Sequence, residues 1–367
     1  MKTLEVRLPF KLKNTVLALG GQAKNTICFA RGDGAYLSPL HADLSRPKDL
    51  AAFEKDAKHF LKKHPKIIAC DLHPEYQSTK FSESLPVKYY ILHVQHHHAH
   101  IASCMAENGL ENQKIIGLAF DGTGLGTDNT IWGAEVLLCD YQKFSRLAHL
   151  KEIPLVGGER AIFEPWRTLA AWLNFDQSVD KKQILNKIYK SGINSPLASS
   201  MGRLFDAAGS LVLGKRKAAF EAELAIELEK LAEASTAGDT FQQIVNARRK
   251  VSPAVIRKDK GGYILDPTNI LKQIIKDLKL KISREKIAWR FHQGVAEMMV
   301  KIALILRKEH RTNKIALSGG VFQNKVLLKM SSGLLNKEGF QVFTHQYLPC
   351  NDAGISLGQA VIAGYGG

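Results

Sequence analysis

Lys314-Ile315-Ala316-Leu317-Ser318-Gly319-Gly320-Val321-Phe322-Gln323-Asn324 is the stretch on which the fold turns. An apolar run ends at Ser-Gly-Gly, and a helical period opens near Asn324 and runs to about Leu335, so the stretch reads as strand, glycine turn, helix. A second strand, Gln341-Val342-Phe343-Thr344, and a closing helix over Ile355 to Ile362 follow. Strands alternating with helices imply an α/β fold with a mostly parallel sheet and helices on its faces. Such sheets take ligands at strand ends and in domain clefts. The backbone N–H groups of Gly319 and Gly320, at the positive end of the next helix, suit phosphate oxygens. The same residues also suit an ordinary tight turn, and they match neither the Walker A pattern nor the dinucleotide fingerprint.

The beginning of the chain carries three strand-like pieces: Val16-Leu17-Ala18-Leu19, Thr26 to Ala30, and Ala35 to Leu40, with Asp33-Gly34 as a hairpin turn. A helical face of Leu50, Phe53, Ala57, Phe60 and Leu61 follows, then strands Lys66–Asp71 and Tyr89–Leu92. At Lys114 the order of elements starts again, with Ile115–Phe120, Ile131–Leu138 and Phe144–Ala148. The expected division is a lead-in over 1–13, a first lobe over 14–112 and a second lobe over 113–367. A mostly helical insertion at about 161–310 interrupts the second lobe. Within it Glu221–Glu229 is amphipathic, Val251–Pro267 is too polar to continue one helix, and Ala288–Leu304 turns Val295, Met299, Ile302 and Leu304 or Leu306 inward.

Five of the thirteen histidines fall within His93-Val94-Gln95-His96-His97-His98-Ala99-His100. On a helix His96 and His100 share a face and can present two imidazoles to one ion. Two ligands do not close a site. Asp121, in Phe120-Asp121-Gly122-Thr123-Gly124, and Asp352, in Asn351-Asp352-Ala353-Gly354, are the best-placed carboxylates. The alternative is a polar helix start or an opportunistic metal patch.

Other polar stretches read two ways. Gly202 and Asp206, in Met201-Gly202-Arg203-Leu204-Phe205-Asp206, suit close backbone approach and ribose hydroxyls, or a capped helix with Asp206 paired to Arg203. Lys24 lies in a short loop, as a partner for phosphate or carbamoyl or as a solvated cation. No Ser-His-Asp or Cys-His arrangement is legible.

Lys and Arg number 51 against 35 Asp and Glu, a formal charge of +16 without a basic arm. The excess suits a phosphate-bearing or acidic partner as well as a solvated surface, and nothing favours nucleic acid. The apolar fraction excludes wholesale disorder. Five cysteines without a C-x-x-C pair argue against a disulfide scaffold and suit a reducing compartment. With neither a signal core nor a long apolar run, the expectation is a cytoplasmic protein without membrane partners.

Together, Leu17-Ala18-Leu19-Gly20, Lys24-Asn25-Thr26, Asp71-Leu72-His73-Pro74, Val94–His100, Phe120–Gly124, Glu164-Pro165-Trp166-Arg167, Met201–Asp206, Leu317–Asn324 and Asn351–Gly354 cover nearly all of the chain. The ordered set resembles the C-terminal carbamoyltransferase portion of the hydrogenase maturation family HypF. The resemblance implies an actin-like (ASKHA) fold of duplicated ribonuclease-H-like lobes, shared with a tRNA threonylcarbamoyl-transfer enzyme and antibiotic O-carbamoyltransferases. It implies metal ligation by His96, His100, Asp121 and Asp352, nucleotide contacts by Asp206, Gly319, Gly320 and Asn324, and a contact of Lys24 with phosphate or the transferred group. His98 is placed at the pocket wall. The expected cofactors are a divalent metal, iron or zinc with magnesium or manganese as alternatives, and ATP or carbamoyl-adenylate.

The expected reaction is carbamoyl transfer from carbamoyl-adenylate to the C-terminal cysteine thiol of the maturation protein HypE. A separate adenylate-forming module or protein would supply the donor. Carbamoylation of a small-molecule hydroxyl and a nucleotide-binding scaffold are the alternatives.

Overall fold

A computed structural model describes residues 3–174, 188–189, 191–235 and 253–366. Part of the insertion expected at about 161–310 therefore lies outside the described residues.

The apolar runs build two large sheets. The first has the order Leu4–Arg7, Gly34–Leu37, Cys28–Arg31, Val16–Ala18, Ile67–Asp71, Tyr90–Val94. Its first four strands pair antiparallel and the last two join in parallel. Val16, Leu17 and Ala18 are all fully buried, as a central strand covered on both faces requires. The lead-in also contributes: Leu4–Arg7 is an edge strand that turns Val6 inward and leaves Glu5 and Arg7 exposed.

The second sheet has the order Val255–Asp259, Gly262–Asp266, Phe144–Leu150, Ile131–Cys139, Ile115–Leu125, Lys314–Ser318, Gln341–Phe343. Its last five strands repeat the spatial order of the last five in the first sheet: third, second, first, fourth and fifth along the chain. The pairing senses repeat as well, antiparallel among the first three and parallel for the rest. The strand expected to stop at Phe120 runs on to Leu125, because it keeps pairing with Ile131 and Trp132 beyond an irregularity in register. The polar stretch before Pro267 forms the hairpin Val255–Asp259 and Gly262–Asp266, which widens this sheet; residues 251–252 lie outside the described residues.

The helices bury the faces their spacing marks. Pro47–Leu61 turns Phe53, Ala57 and Phe60 into a small core on the first sheet. Arg284–His310 buries Val295, Met299, Ile302 and Leu306 in the core that the second sheet shares with the helices Glu223–Ser235 and Lys325–Lys337, with Leu304 only partly covered.

Two helices lie between the sheets, His96–Glu107 and Ile355–Gly366. The first is buried at every residue and the second at all but its last turn, the condition for a helix covered all round. They exchange partners: His96–Glu107 lies on Ile115–Leu125 and Lys314–Ser318, whereas Ile355–Gly366 lies on Val16–Ala18 and Ile67–Asp71. They meet at Ala99 and Gly358, which brings the start of each helix to the same point. Among the described residues no helix is long and apolar enough to cross a membrane.

Candidate metal centre

Gln95 ends the strand Tyr90–Val94 and caps the helix that follows, its side-chain oxygen accepting from His98 N at 2.9 Å. The cap sets the phase of the helix, so His96 and His100 aim the same way, with ring centroids 5.0 Å apart. Asp121 reaches them from the strand Ile115–Leu125, and Asp352 from the single turn Asp352–Gly354 ahead of the last helix. One donor atom from each of the four lies within 4.8 Å of the other three. His100 Nε2 is 2.8 Å from Asp121 Oδ2 and 3.8 Å from Asp352 Oδ1; His96 Nε2 is 3.7 Å and 4.0 Å from the same oxygens.

Three carboxylates meet two imidazoles here, because His96 Nδ1–H donates to Asp71 Oδ2 at 2.8 Å. Both of those side chains are fully buried. This bond occupies Nδ1 and leaves Nε2, a buried atom with no hydrogen-bond partner, as the His96 nitrogen facing Asp121 and Asp352. Buried negative charge of this density needs a cation, and imidazole nitrogens with carboxylate oxygens suit zinc, iron or manganese. The residues fit a divalent metal. Burial opposes charge on His96, but Asp71, Asp121 and Asp352 outweigh it and hold its pKa well above the usual imidazole range. Burial likewise works against ionised Asp121, yet the hydrogen bond from His100 and the charges of His100 and His96 hold it well below the carboxylate range. Asp352 is pushed the other way by burial and by the charge of Asp121.

His100 is backed by a chain of partners absent from the sequence reading. Its Nδ1 is 3.4 Å from Ser318 Oγ, which is 2.8 Å from His345 Nε2, whose Nδ1 is 2.7 Å from Glu107 Oε2. Ser318, His345 and Glu107 thus form the kind of linear arrangement that sequence spacing did not reveal. Glu107 and Asp71 did leave signals. Glu107 follows His100 by seven residues on one helical face, and Asp71 ends an apolar strand, as Asp121 follows one. His345 left none.

The glycine turn shapes the floor. Gly319 has φ +105°, and a Cβ there would lie 2.2 Å from Phe120 O; a Cβ on Gly320 would lie 2.9 Å from Asp121 Oδ1. The turn therefore rests directly on the Asp121 strand. Lys24, in the short strand Ala23–Asn25, lines a cleft of about 250 Å³ with Thr26, Tyr347, Asn351 and Ala353, and its charge acts on Asp352.

The other expected site residues are placed differently. His98 lies two residues, roughly 200° of helical rotation, from His96. Its Nε2–H donates to Asp140 O at 2.7 Å, so its polar tip is used inside the fold rather than on the cluster. His97 is buried, and burial drives its pKa well below the usual value. Asn324 is the cap of the helix Lys325–Lys337, its Oδ1 accepting from Leu327 N at 2.8 Å and its Nδ2 donating to His292 Nε2 at 2.9 Å. Gly202 packs on Gly122, where a Cβ would be 3.0 Å from the Gly122 Cα. Asp206 is buried beside Arg203, with Oδ2 3.1 Å from the guanidinium Nε, and burial pushes its carboxyl up to about 6.

Two family models match the chain: the HypF Kae1-like domain over residues 11–107, and the second subdomain of the Kae1-like carbamoyltransferase domain over residues 117–359. A carbamoyltransferase HypF homolog from Cupriavidus necator is 35% identical over 372 residues, covering 95% of this chain and 91% of that protein. Carbamoyltransferase HypF of Synechocystis sp. is 32% identical over 387 residues, covering 96% of this chain and 48% of its own length. The chain spans about half the length of several curated relatives it matches. A crystal structure of full-length HypF in the phosphate- and nucleotide-bound form superposes with a TM-score of 0.88 at 39% identity, covering 98% of this chain and 57% of that one. The crystal structure of HypF from T. kodakarensis gives 0.84 at 29% identity and covers 98% and 49%. With both family models in chain order over two sheets and the His, His, Asp, Asp cluster at their junction, the chain belongs to the HypF family, as its Kae1-like carbamoyltransferase domain.

Proposed function

We propose that the chain transfers a carbamoyl group from carbamoyl-adenylate to the C-terminal cysteine thiol of HypE, releasing AMP. In this step the thiol sulfur attacks the carbamoyl carbon, a C–S bond forms, the C–O bond to the adenylate phosphate breaks, and the thiol proton is released. The observation that carries the reading is the buried cluster of His96, His100, Asp121 and Asp352 beside the Gly319-Gly320 turn. Those four residues would hold the metal, which when bound supplies positive charge for phosphate oxygens.

The chain's own groups do the rest. Asp71 and Ser318 orient the two imidazoles, and with the Gly319 N–H given to Cys350 O at 2.9 Å, the Gly320 N–H is the turn's donor where charge develops. Lys24 reaches the phosphate or carbamoyl group from the cleft, and Gly202 with Asp206 forms the nucleotide side. His98 and Asn324, whose polar atoms are engaged within the fold, act as structural supports. The shared strand order of the two sheets supports an actin-like fold of duplicated ribonuclease-H-like lobes, divided at about residue 113. The donor would come from a separate adenylate-forming module or protein, and the reaction would take place in the cytoplasm.

The test mixes metal-loaded chain with preformed carbamoyl-adenylate and the HypE acceptor, and reads thiocarbamate by mass spectrometry. A carbamoylated cysteine is expected with the unaltered chain and not with His100→Ala. Absence of thiocarbamate from the metal-loaded, unaltered chain would overturn the reading.

A further inference from the structure

We propose that Glu107, His345 and Ser318 are positioning residues that hold His100 in the one tautomer able to bind a metal. The proposal rests on the metal reading of the four-residue cluster and names a control that acts through His100. Glu107 closes the chain with an acceptor. Its Oε1 takes the backbone N–H groups of Gln346, Tyr347 and Leu348, and its Oε2 is left to His345 Nδ1 at 2.7 Å. A carboxylate only accepts, so His345 must carry its proton on Nδ1 and offer a bare Nε2. Ser318 O–H, 2.8 Å away, then donates to that Nε2, and its oxygen lone pair accepts from His100 Nδ1–H. The Nδ1–H of His100 is thereby fixed toward Ser318, so the proton that Nε2 gives to Asp121 Oδ2 at 2.8 Å is the one a metal displaces, on the nitrogen that faces Asp121 and Asp352.

Every member of the chain is shielded. Ser318 is fully buried, and the His345 and Glu107 side chains are 5% and 0% exposed, so water cannot substitute for a missing link. Direction also matters. Glu107→Gln keeps an oxygen for the three backbone donors but turns an NH₂ toward His345. His345 would answer with the opposite tautomer, Ser318 would reverse and donate to His100 Nδ1, and the remaining His100 proton would be confined to Nε2, where a metal has to bind. On the other imidazole the same task falls to a single residue, Asp71. The structure thus gives the two histidines separate orienting partners, one direct and one relayed through three side chains from different elements.

The probe is Co²⁺, titrated into metal-free protein, with affinity from chelator competition and ligand geometry from the visible d–d absorption. Glu107→Gln and Ser318→Ala are each expected to weaken Co²⁺ by about 10–100-fold. The double variant should be no weaker than the worse single, because both act through one chain. Thermal unfolding of the metal-free variants separates this from damage to the fold, and His345→Gln serves should Glu107→Gln fail to fold. Wild-type affinity in the single variants would overturn the relay, as would independent, additive losses. If the unaltered chain and His100→Ala bind Co²⁺ equally, the metal reading beneath the relay fails instead.

Discussion

The carbonyl of Ala99 and the Cα of Gly358 face each other so closely that a methyl group on Gly358 would sit 1.8 Å from the oxygen. This contact lets the helices His96–Glu107 and Ile355–Gly366 touch, and it fixes the distance between His100 on one and Asp352 just ahead of the other. Gly358→Ala must push the helices apart. Overpacking of this kind costs about 1–3 kcal/mol or more. The variant is expected to unfold at lower denaturant concentration and to lose metal affinity; an unchanged midpoint would mean that the helices have room to spare.

Asp71 sets the tautomer of His96 through a single 2.8 Å bond between fully buried groups. Asp71→Asn offers an amide that can donate to Nδ1 and leave the proton on Nε2. We expect metal affinity to fall by about 10–100-fold, as for other partners of metal-bound histidine. Isothermal titration with Zn²⁺ measures it, and unaltered affinity would contradict the role assigned to Asp71.

Gly320 gives a narrower test of the turn beneath the cluster. A Cβ at this position would come within 2.9 Å of Asp121 Oδ1, an oxygen that also accepts from Gly122 N at 2.7 Å. Gly320→Ala should therefore displace the carboxylate and reduce Zn²⁺ affinity at least tenfold while circular dichroism stays unchanged. Retained affinity would show that the carboxylate tolerates the shift.

His292 supplies a pH dependence away from the centre. Its Nδ1–H donates to Ala288 O at 2.8 Å and its Nε2 accepts from Asn324, so the ring is neutral in the fold, and burial lowers its pKa to about 4. Unfolded, the ring returns to its ordinary value of roughly 6.5. Between these values the unfolded chain binds the extra proton, so this stability is fully present above about 6.5 and is lost as pH falls through about 4. The difference amounts to roughly 3 kcal/mol. Denaturant midpoints at pH 7 and pH 4.5 should converge in His292→Gln relative to the unaltered chain; equal pH slopes in both would contradict the assignment.

Much of the architecture was legible because its elements carry one period each. The run Lys314–Leu317 ending in Ser-Gly-Gly had one natural reading, and the restart at Lys114 pointed to a second set of strands in the same order. His96 and His100 were legible from helical spacing, and Asp121 and Asp352 from small residues beside marked elements. The backing of His100 was not, because Glu107, Ser318 and His345 lie far apart in sequence, on a helix, a strand and a loop, and meet only where His96–Glu107 lies on Lys314–Ser318. Asn324 shows the opposite limit: an amide at the start of a helix reads equally as a ligand contact or a cap, and the three-dimensional partners Leu327 and His292 show it acting as a cap. His98 was drawn toward the site by its neighbours in sequence, although helical rotation turns it to Asp140.

The most direct measurement of the central claim is an anomalous difference map from crystals of this chain grown with Zn²⁺. The account predicts one strong peak about 2.0–2.2 Å from His96 Nε2, His100 Nε2 and carboxylate oxygens of Asp121 and Asp352. Saturating Zn²⁺ with no peak among these four residues, or with its main peak elsewhere, would contradict it.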